Sequence, residues 1–166
     1  MFHDIPPQSP CVICVDDSPT IRHILETCLS REGFVVHTFP DGVEMMRWLT
    51  GPEGRTPNLV ILDIYLPKMD GYEVARRLKA KPHFTHSTIV MLSRRDSVID
   101  RLKGRLAGAT VYLTKPFQTQ ELVSVVKAQL GITSSGEQEV FMPLTTKREQ
   151  WERSRFSEQD GYAEHH

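Results

Sequence analysis

Asn58-Leu59-Val60-Ile61-Leu62-Asp63 is the stretch that decides the fold. Four consecutive large apolar residues end in a carboxylate. A continuous apolar run of this length, bounded by turn residues, fits a central parallel strand buried on both faces. A buried helical segment has the same periodicity, but Pro57 before the run and Pro67 after it leave little room for one. As a strand, the run carries Asp63 to its carboxyl end. Open α/β sheets put their chemistry in the crevice outside those ends. Taken alone, Asp63 reads equally well as a cap on the following turn.

Outward from that strand, apolar runs and helical patterns alternate. Upstream, Cys11 to Val15 is a first buried strand ending in Asp16-Asp17. Ser18 is a good N-cap and Pro19 suits a first helical turn, so a helix runs to about Glu32, with Ile21, Ile24, Leu25, Cys28 and Leu29 on one face. Gly33 stops it. Phe34 to Phe39 is a second strand, and a second helix carries Val43, Met46, Trp48 and Leu49. Downstream, the pattern predicts a third helix over about 72–80, a strand over 88–92, a basic helix over about 97–106, a strand over 110–113 and a helix over about 119–130. Five such alternations mean a doubly wound five-stranded parallel sheet in a single α/β domain, with helices on both faces. The domain spans residues 11–131. Residues 1–10 read as a disordered, Pro-rich leader, and 132–166 as an acidic, flexible tail or a partner-binding segment.

Composition narrows the function. The chain has 166 residues and a formal net charge of −1, so no global field draws it to nucleic acid or an anionic membrane. Residues 131–166 hold seven acids and four bases, and the preceding part holds 14 acids and 16 bases. No apolar run approaches the roughly 20 residues needed to cross a bilayer, and no secretory signal opens the chain, so a cytoplasmic protein is expected. Cys11-Val-Ile-Cys14 is formally C-x-x-C, but it lies inside a strand, where the two side chains alternate faces and no second pair follows. Buried structural thiols are the expectation.

The strand ends form a constellation. Asp16 and Asp17 end the first strand, Asp63 the third and Ser93 the fourth, and Lys115 follows the fifth. A parallel sheet brings all of them to one edge. Three carboxylates there repel one another, and Mg²⁺ resolves that, since it favours one or two carboxylates plus a phosphate. Lys115 and the Ser93 hydroxyl are then placed to meet phosphoryl oxygens, and Asp63 to act as a nucleophile forming an acyl phosphate.

At these residues the sequence resembles the receiver domain of bacterial two-component response regulators, the CheY-like fold. The matching motifs are Val15-Asp16-Asp17-Ser18, the strand ending at Asp63, Leu66-Pro67-Lys68-Met69-Asp70-Gly71-Tyr72-Glu73, Met91-Leu92-Ser93 and Lys115-Pro116-Phe117. The resemblance implies Asp63 as phosphoacceptor, with Asp16, Asp17, Asp63 and the Tyr65 backbone carbonyl serving Mg²⁺. It implies Ser93 and Lys115 at the phosphoryl group, a cis bond before Pro116, and Tyr112 as the switch aromatic that turns inward on phosphorylation. It also implies a histidine kinase or phosphotransfer protein as donor. The stretch from Met91 to Ala109 looks most like stand-alone receivers of twitching-motility and phototaxis systems. Two residues depart from the family pattern, Arg94 where a small residue is usual, and Arg95 after it.

An aspartyl-phosphate hydrolase also uses a strand-end Asp, but usually places a second Asp two residues on, where this chain has Tyr65. A receiver scaffold that is never phosphorylated would not need Asp63, Asp16, Asp17, Ser93 and Lys115 together. A DNA-binding regulator needs an output domain, and the tail has no two-helix pattern or basic face. The expectation is a phosphorylation switch rather than an enzyme acting on an external substrate, with self-catalysed phosphotransfer and dephosphorylation at Asp63. Its downstream protein partner is expected on the fourth helix, fifth strand and fifth helix, where Arg101, Lys103 and Arg105 neighbour Tyr112. Tyr65 and Arg95, both large, are expected to stack and to screen the phosphoryl group from water.

Overall fold

The computed structural model describes residues 8–95 and 97–132. The leader assigned to 1–10 lies outside the described residues up to position 7, and the tail assigned to 132–166 lies outside them from position 133. In chain order the elements are β1 (Cys11–Val15), α1 (Pro19–Arg31), β2 (Val35–Phe39), α2 (Gly42–Leu49), β3 (Leu59–Asp63), α3 (Gly71–Lys79), β4 (Thr88–Ser93), α4 (Val98–Ala107), β5 (Val111–Thr114) and α5 (Thr119–Gln129). The ends fall within one residue of those read from the sequence. One element was not anticipated, a single 3₁₀ turn over Pro82–Phe84 that buries Phe84.

The strands form one parallel sheet in the order β2-β1-β3-β4-β5. The order reverses between β1 and β3, which opens a crevice at their carboxyl ends. Both strands are buried along their whole length. Alternate residues go to opposite faces. Ile13, Val15, Val60, Leu62, Ile89, Met91 and Tyr112 meet α2, α3 and α4 on one face. Val12, Cys14, Leu59, Ile61, Val90, Leu92, Val111 and Leu113 meet α1 and α5 on the other. The thiols of Cys11 and Cys14 are buried and free, as the strand reading required. On α2 the structure corrects the expected face: Met45 and Leu49 are the buried residues, while Val43, Met46 and Trp48 are half-buried. A helix on the outer part of the sheet covers only part of its own circumference, so neighbouring apolar positions compete for the core.

Candidate functional site

The carboxyl ends of β1, β3, β4 and β5 supply the site. Where β1 ends, the chain turns sharply into α1. The Asp16 carboxylate accepts the Ser18 N–H at 2.9 Å, and the Ser18 hydroxyl caps the helix by accepting the Ile21 N–H at 3.3 Å. Arg22 reaches back one turn to the Asp16 carbonyl at 2.6 Å. Asp16 is fully buried, whereas Asp17 faces solvent. A buried carboxylate needs a charged partner. Lys115 Nζ supplies it at 2.6 Å from Asp16 Oδ2, and lies 3.4 Å from Asp63 Oδ2.

Asp63, 6% exposed, accepts the Tyr65 N–H through Oδ1 at 3.2 Å. Burial pushes its carboxyl up from the ordinary range; the Lys115 ammonium opposes this and the Asp16 carboxylate adds to it. One oxygen from each of Asp16, Asp17 and Asp63 lies within 4.8 Å of the others. Hard oxygen donors this close, with one member open to water, match what Mg²⁺ requires. The structure therefore brings together Asp16, Asp17, Asp63 and Lys115.

Ser93 ends β4 beside them and is buried. Its hydroxyl accepts the Arg95 N–H at 3.0 Å, and its carbonyl accepts the Lys115 N–H at 2.6 Å. The Lys115–Pro116 peptide is cis. The Arg95 guanidinium stands 5.7 Å from the centre of the Tyr65 ring, so the expected stacking of these two side chains is present. They belong to a cleft of about 570 Å³ running from Asp17 past Tyr65, Tyr72 and Arg95 to Asp100 and Lys103.

Tyr112 departs from expectation. The family resemblance has it turn inward on phosphorylation, yet its ring is already inside, 6% exposed. The reason is Gly104 on α4. A Cβ there would stand 3.3 Å from both the Tyr112 ring and the Met91 sulfur, a tight contact, so the absent side chain eases the fit of the ring in this berth. The Tyr112 hydroxyl donates to the Arg95 carbonyl at 2.9 Å, and the Arg101 guanidinium covers the ring at 5.7 Å. Tyr72, whose hydroxyl donates to the Asp100 carbonyl at 3.3 Å, adjoins it; burial pushes both phenols up.

The α4 basic residues do not act as one patch. Arg101 lies on Tyr112, Lys103 lines the cleft and Arg105 faces solvent. Sequence reasoning gave no role of its own to Gly71, whose missing side chain lets the start of α3 sit against the Asp63 carbonyl: a Cβ there would overlap that oxygen and the Ile64 backbone. The Asp70-Gly71 pair, a cap followed by the smallest residue, was the available signal. It also missed that Val98, Ile99, Leu102 and Leu106 on α4 are exposed rather than core.

Comparison with known proteins accords with this geometry. The family model of the response regulator receiver domain matches residues 12–127. The protein PilG of Pseudomonas aeruginosa is 37% identical over 119 residues, which are 72% of this chain and 86% of PilG. The chemotaxis response regulator CheY4 of Vibrio cholerae superposes with a TM-score of 0.68 at 27% identity, covering 73% of this chain and 98% of that one. The receiver domain of a sensor histidine kinase from P. aeruginosa gives 0.66 at 27% identity over 74% and 98% of the two chains; that structure holds a magnesium ion coordinated in its active-site cleft.

Proposed function

The chain belongs to the response regulator receiver domain family, and on that premise we propose that Asp63 accepts a phosphoryl group from a histidine kinase or phosphotransfer protein. One observation carries the proposal. At the point where the strand order reverses, three carboxylates converge within 4.8 Å and a lysine stands 3.4 Å from the buried one on β3. In the reaction, an Asp63 oxygen attacks phosphorus, the P–N bond of phosphohistidine breaks, and its electron pair leaves on the imidazole, which takes up a proton. Asp16, Asp17, Asp63 and the Tyr65 carbonyl would hold Mg²⁺, which when bound draws charge from the phosphoryl oxygens. Lys115 is within reach of the oxygens that gather charge on Asp63. The Ser93 hydroxyl, which accepts the Arg95 N–H, keeps its own proton to donate to the phosphoryl group, so a shift of Ser93 toward that group would be passed to the backbone leading into α4.

The output surface we propose is α4, β5 and α5, with Tyr112, Arg101, Lys103 and Arg105 responding to the charge added at Asp63. The resemblance to PilG supports motility-type signalling; phototaxis is the second setting we propose. Among the described residues no helix is long and apolar enough to cross a membrane; the proposed place of action is the cytoplasm. The test is phosphorylation by acetyl phosphate followed by intact-mass spectrometry. Wild type gains one phosphoryl group in Mg²⁺ and none in excess EDTA, and Asp63→Asn gains none. Labelling of the Asn variant at the wild-type rate would place the acceptor elsewhere.

A further inference from the structure

The side of α4 that faces solvent is more apolar than a free helix surface needs to be. Val98 is 75% exposed, Ile99 66%, Leu102 54% and Leu106 78%. Their spacing puts them on adjoining turns, forming one stripe along the helix. The core on that side of the sheet does not take them, because Gly104 and Ala107 are the α4 residues turned inward. Lys103 and Arg105, both exposed, flank the stripe, and neither is in an ion pair among the described residues. A contiguous apolar stripe with a charged rim marks a contact surface.

We infer that the occupant is a segment of this same chain: Glu137-Gln138-Glu139-Val140-Phe141-Met142-Pro143-Leu144 lies along the α4 stripe, with its apolar residues on Val98, Ile99, Leu102 and Leu106 and its acids toward Lys103 and Arg105. Three observations select it. The first is charge: residues 131–166 hold seven acids and four bases, whereas the rest holds 14 acids and 16 bases. The second is pattern: Val140 to Leu144 is the apolar island of those residues, and two acids closely precede it.

The third is reach. Helices connecting parallel strands run back along the sheet, so α4 and α5 both end at the edge where the strands begin. They flank the edge strand β5 from opposite faces. The chain leaves α5 at Ile132, whose N–H donates to the Lys127 carbonyl. From there to Val140 an extended chain covers up to about 27 Å, enough to round β5 and lie on a helix roughly 15 Å long. Thr133-Ser134-Ser135-Gly136, between them, holds only small or polar residues and no proline. A short tether of this kind holds the segment near millimolar effective concentration, so a weak contact is still populated. A second copy fits worse on charge, because two-fold pairing of α4 with α4 would bring four cations, Lys103 and Arg105 of each copy, to the rim of one stripe.

The contact does not depend on chemistry at Asp63, so it is tested on the unphosphorylated full-length chain. Two measurements are made together. Phe141 is replaced by a photo-crosslinking benzoylphenylalanine, and the crosslinked residue is mapped by mass spectrometry across a hundredfold range of protein concentration. Separately, hydrogen exchange of α4 is compared between wild type and Phe141→Asp/Leu144→Asp, whose changes lie outside the α/β domain. The expected result is intramolecular crosslinking to α4 at a concentration-independent yield, and at least threefold faster α4 exchange in the double variant, with Lys103→Glu/Arg105→Glu giving the same acceleration. Crosslinks confined to dimers would overturn the proposal and assign the stripe to a second copy. Crosslinks elsewhere, or α4 exchange unchanged in both sets of variants, would overturn it as well. Failure of Asp63 to take up phosphate would leave this result standing, so the two readings fail separately.

Discussion

Replacing Asp63 with Asn should make the folded protein more stable when Mg²⁺ is removed, although it abolishes the proposed phosphoacceptor. Asp63 shares its site with Asp16 and Asp17, one oxygen of each within 4.8 Å, and with one cation, Lys115, at 3.4 Å. At an effective dielectric of about 20, each carboxylate pair at that separation repels by about 3.5 kcal/mol, and Lys115 returns about 5 kcal/mol. Asp17 is exposed, so solvent cuts its share to below about 1 kcal/mol and the charge interactions nearly cancel; what turns the balance against the ionised form is burial of the Asp63 carboxyl, the largest cause of its upward shift. The amide of the variant keeps the size of the side chain and an acceptor for the Tyr65 N–H, so little packing is lost. The assay is urea unfolding in EDTA, with the gain read as a shift of the midpoint at constant m-value. Titration with Mg²⁺ should then narrow or reverse the difference. Wild type gains about 1.4 kcal/mol at ten times its dissociation constant, whereas the variant has lost a ligand. An Asn variant less stable than wild type in EDTA, or one that gains as much as wild type from Mg²⁺, would mean the three carboxylates do not form one electrostatic unit.

Three further outcomes are expected. Gly71→Ala should cost about 1–3 kcal/mol or more, because the new methyl meets the backbone of Asp63 and Ile64 rather than a movable side chain; it should also slow phosphorylation, and equal unfolding midpoints would contradict the close approach. The Asp41 carboxyl is held below its ordinary range, chiefly by the Glu44 N–H it accepts as N-cap of α2 and further by Lys68 at 3.0 Å. Its folded pKa is depressed, so its contribution is present above about pH 4 and is lost as pH falls through the folded value. Stability measured from pH 5 to 2 should therefore fall less steeply in Asp41→Asn than in wild type. Finally, the Arg95–Tyr65 stack offers no general base near the path of an attacking water, since a guanidinium has donors and no acceptor. The phosphorylated state should last minutes or longer, with faster loss in both Tyr65→Asn and Arg95→Glu; a wild-type half-life of seconds would contradict the screening role.

Much of the fold is written locally. The run from Leu59 to Asp63, and its counterparts at Cys11–Val15 and Thr88–Ser93, are apolar over nearly their whole length, as a strand covered on both faces requires, and at Leu59–Asp63 the flanking prolines disfavour a helix. Ser18, Asp41, Asp70 and Ser97 each accept a backbone N–H at the start of a helix, so those helix starts are carried by single residues. Because parallel strands all end at one edge, the convergence of Asp16, Asp17, Asp63 and Lys115 follows from their positions in the chain.

What the sequence could not carry depends on contacts between elements distant in the chain. That Asp16 is the buried carboxylate and Asp17 the exposed one depends on which of two adjacent side chains meets Lys115, 99 residues away. That Tyr112 is already inward depends on the space under Gly104 in a neighbouring helix, which no periodicity reports. The apolar positions of α4 have the spacing of a core-facing stripe, yet they face solvent, because Gly104 and Ala107 fill the little room that Tyr112 and Met91 leave beneath the helix. Hydrophobic pattern fixes that a helix has an apolar side. Which side the sheet accepts is decided by the volumes that meet there.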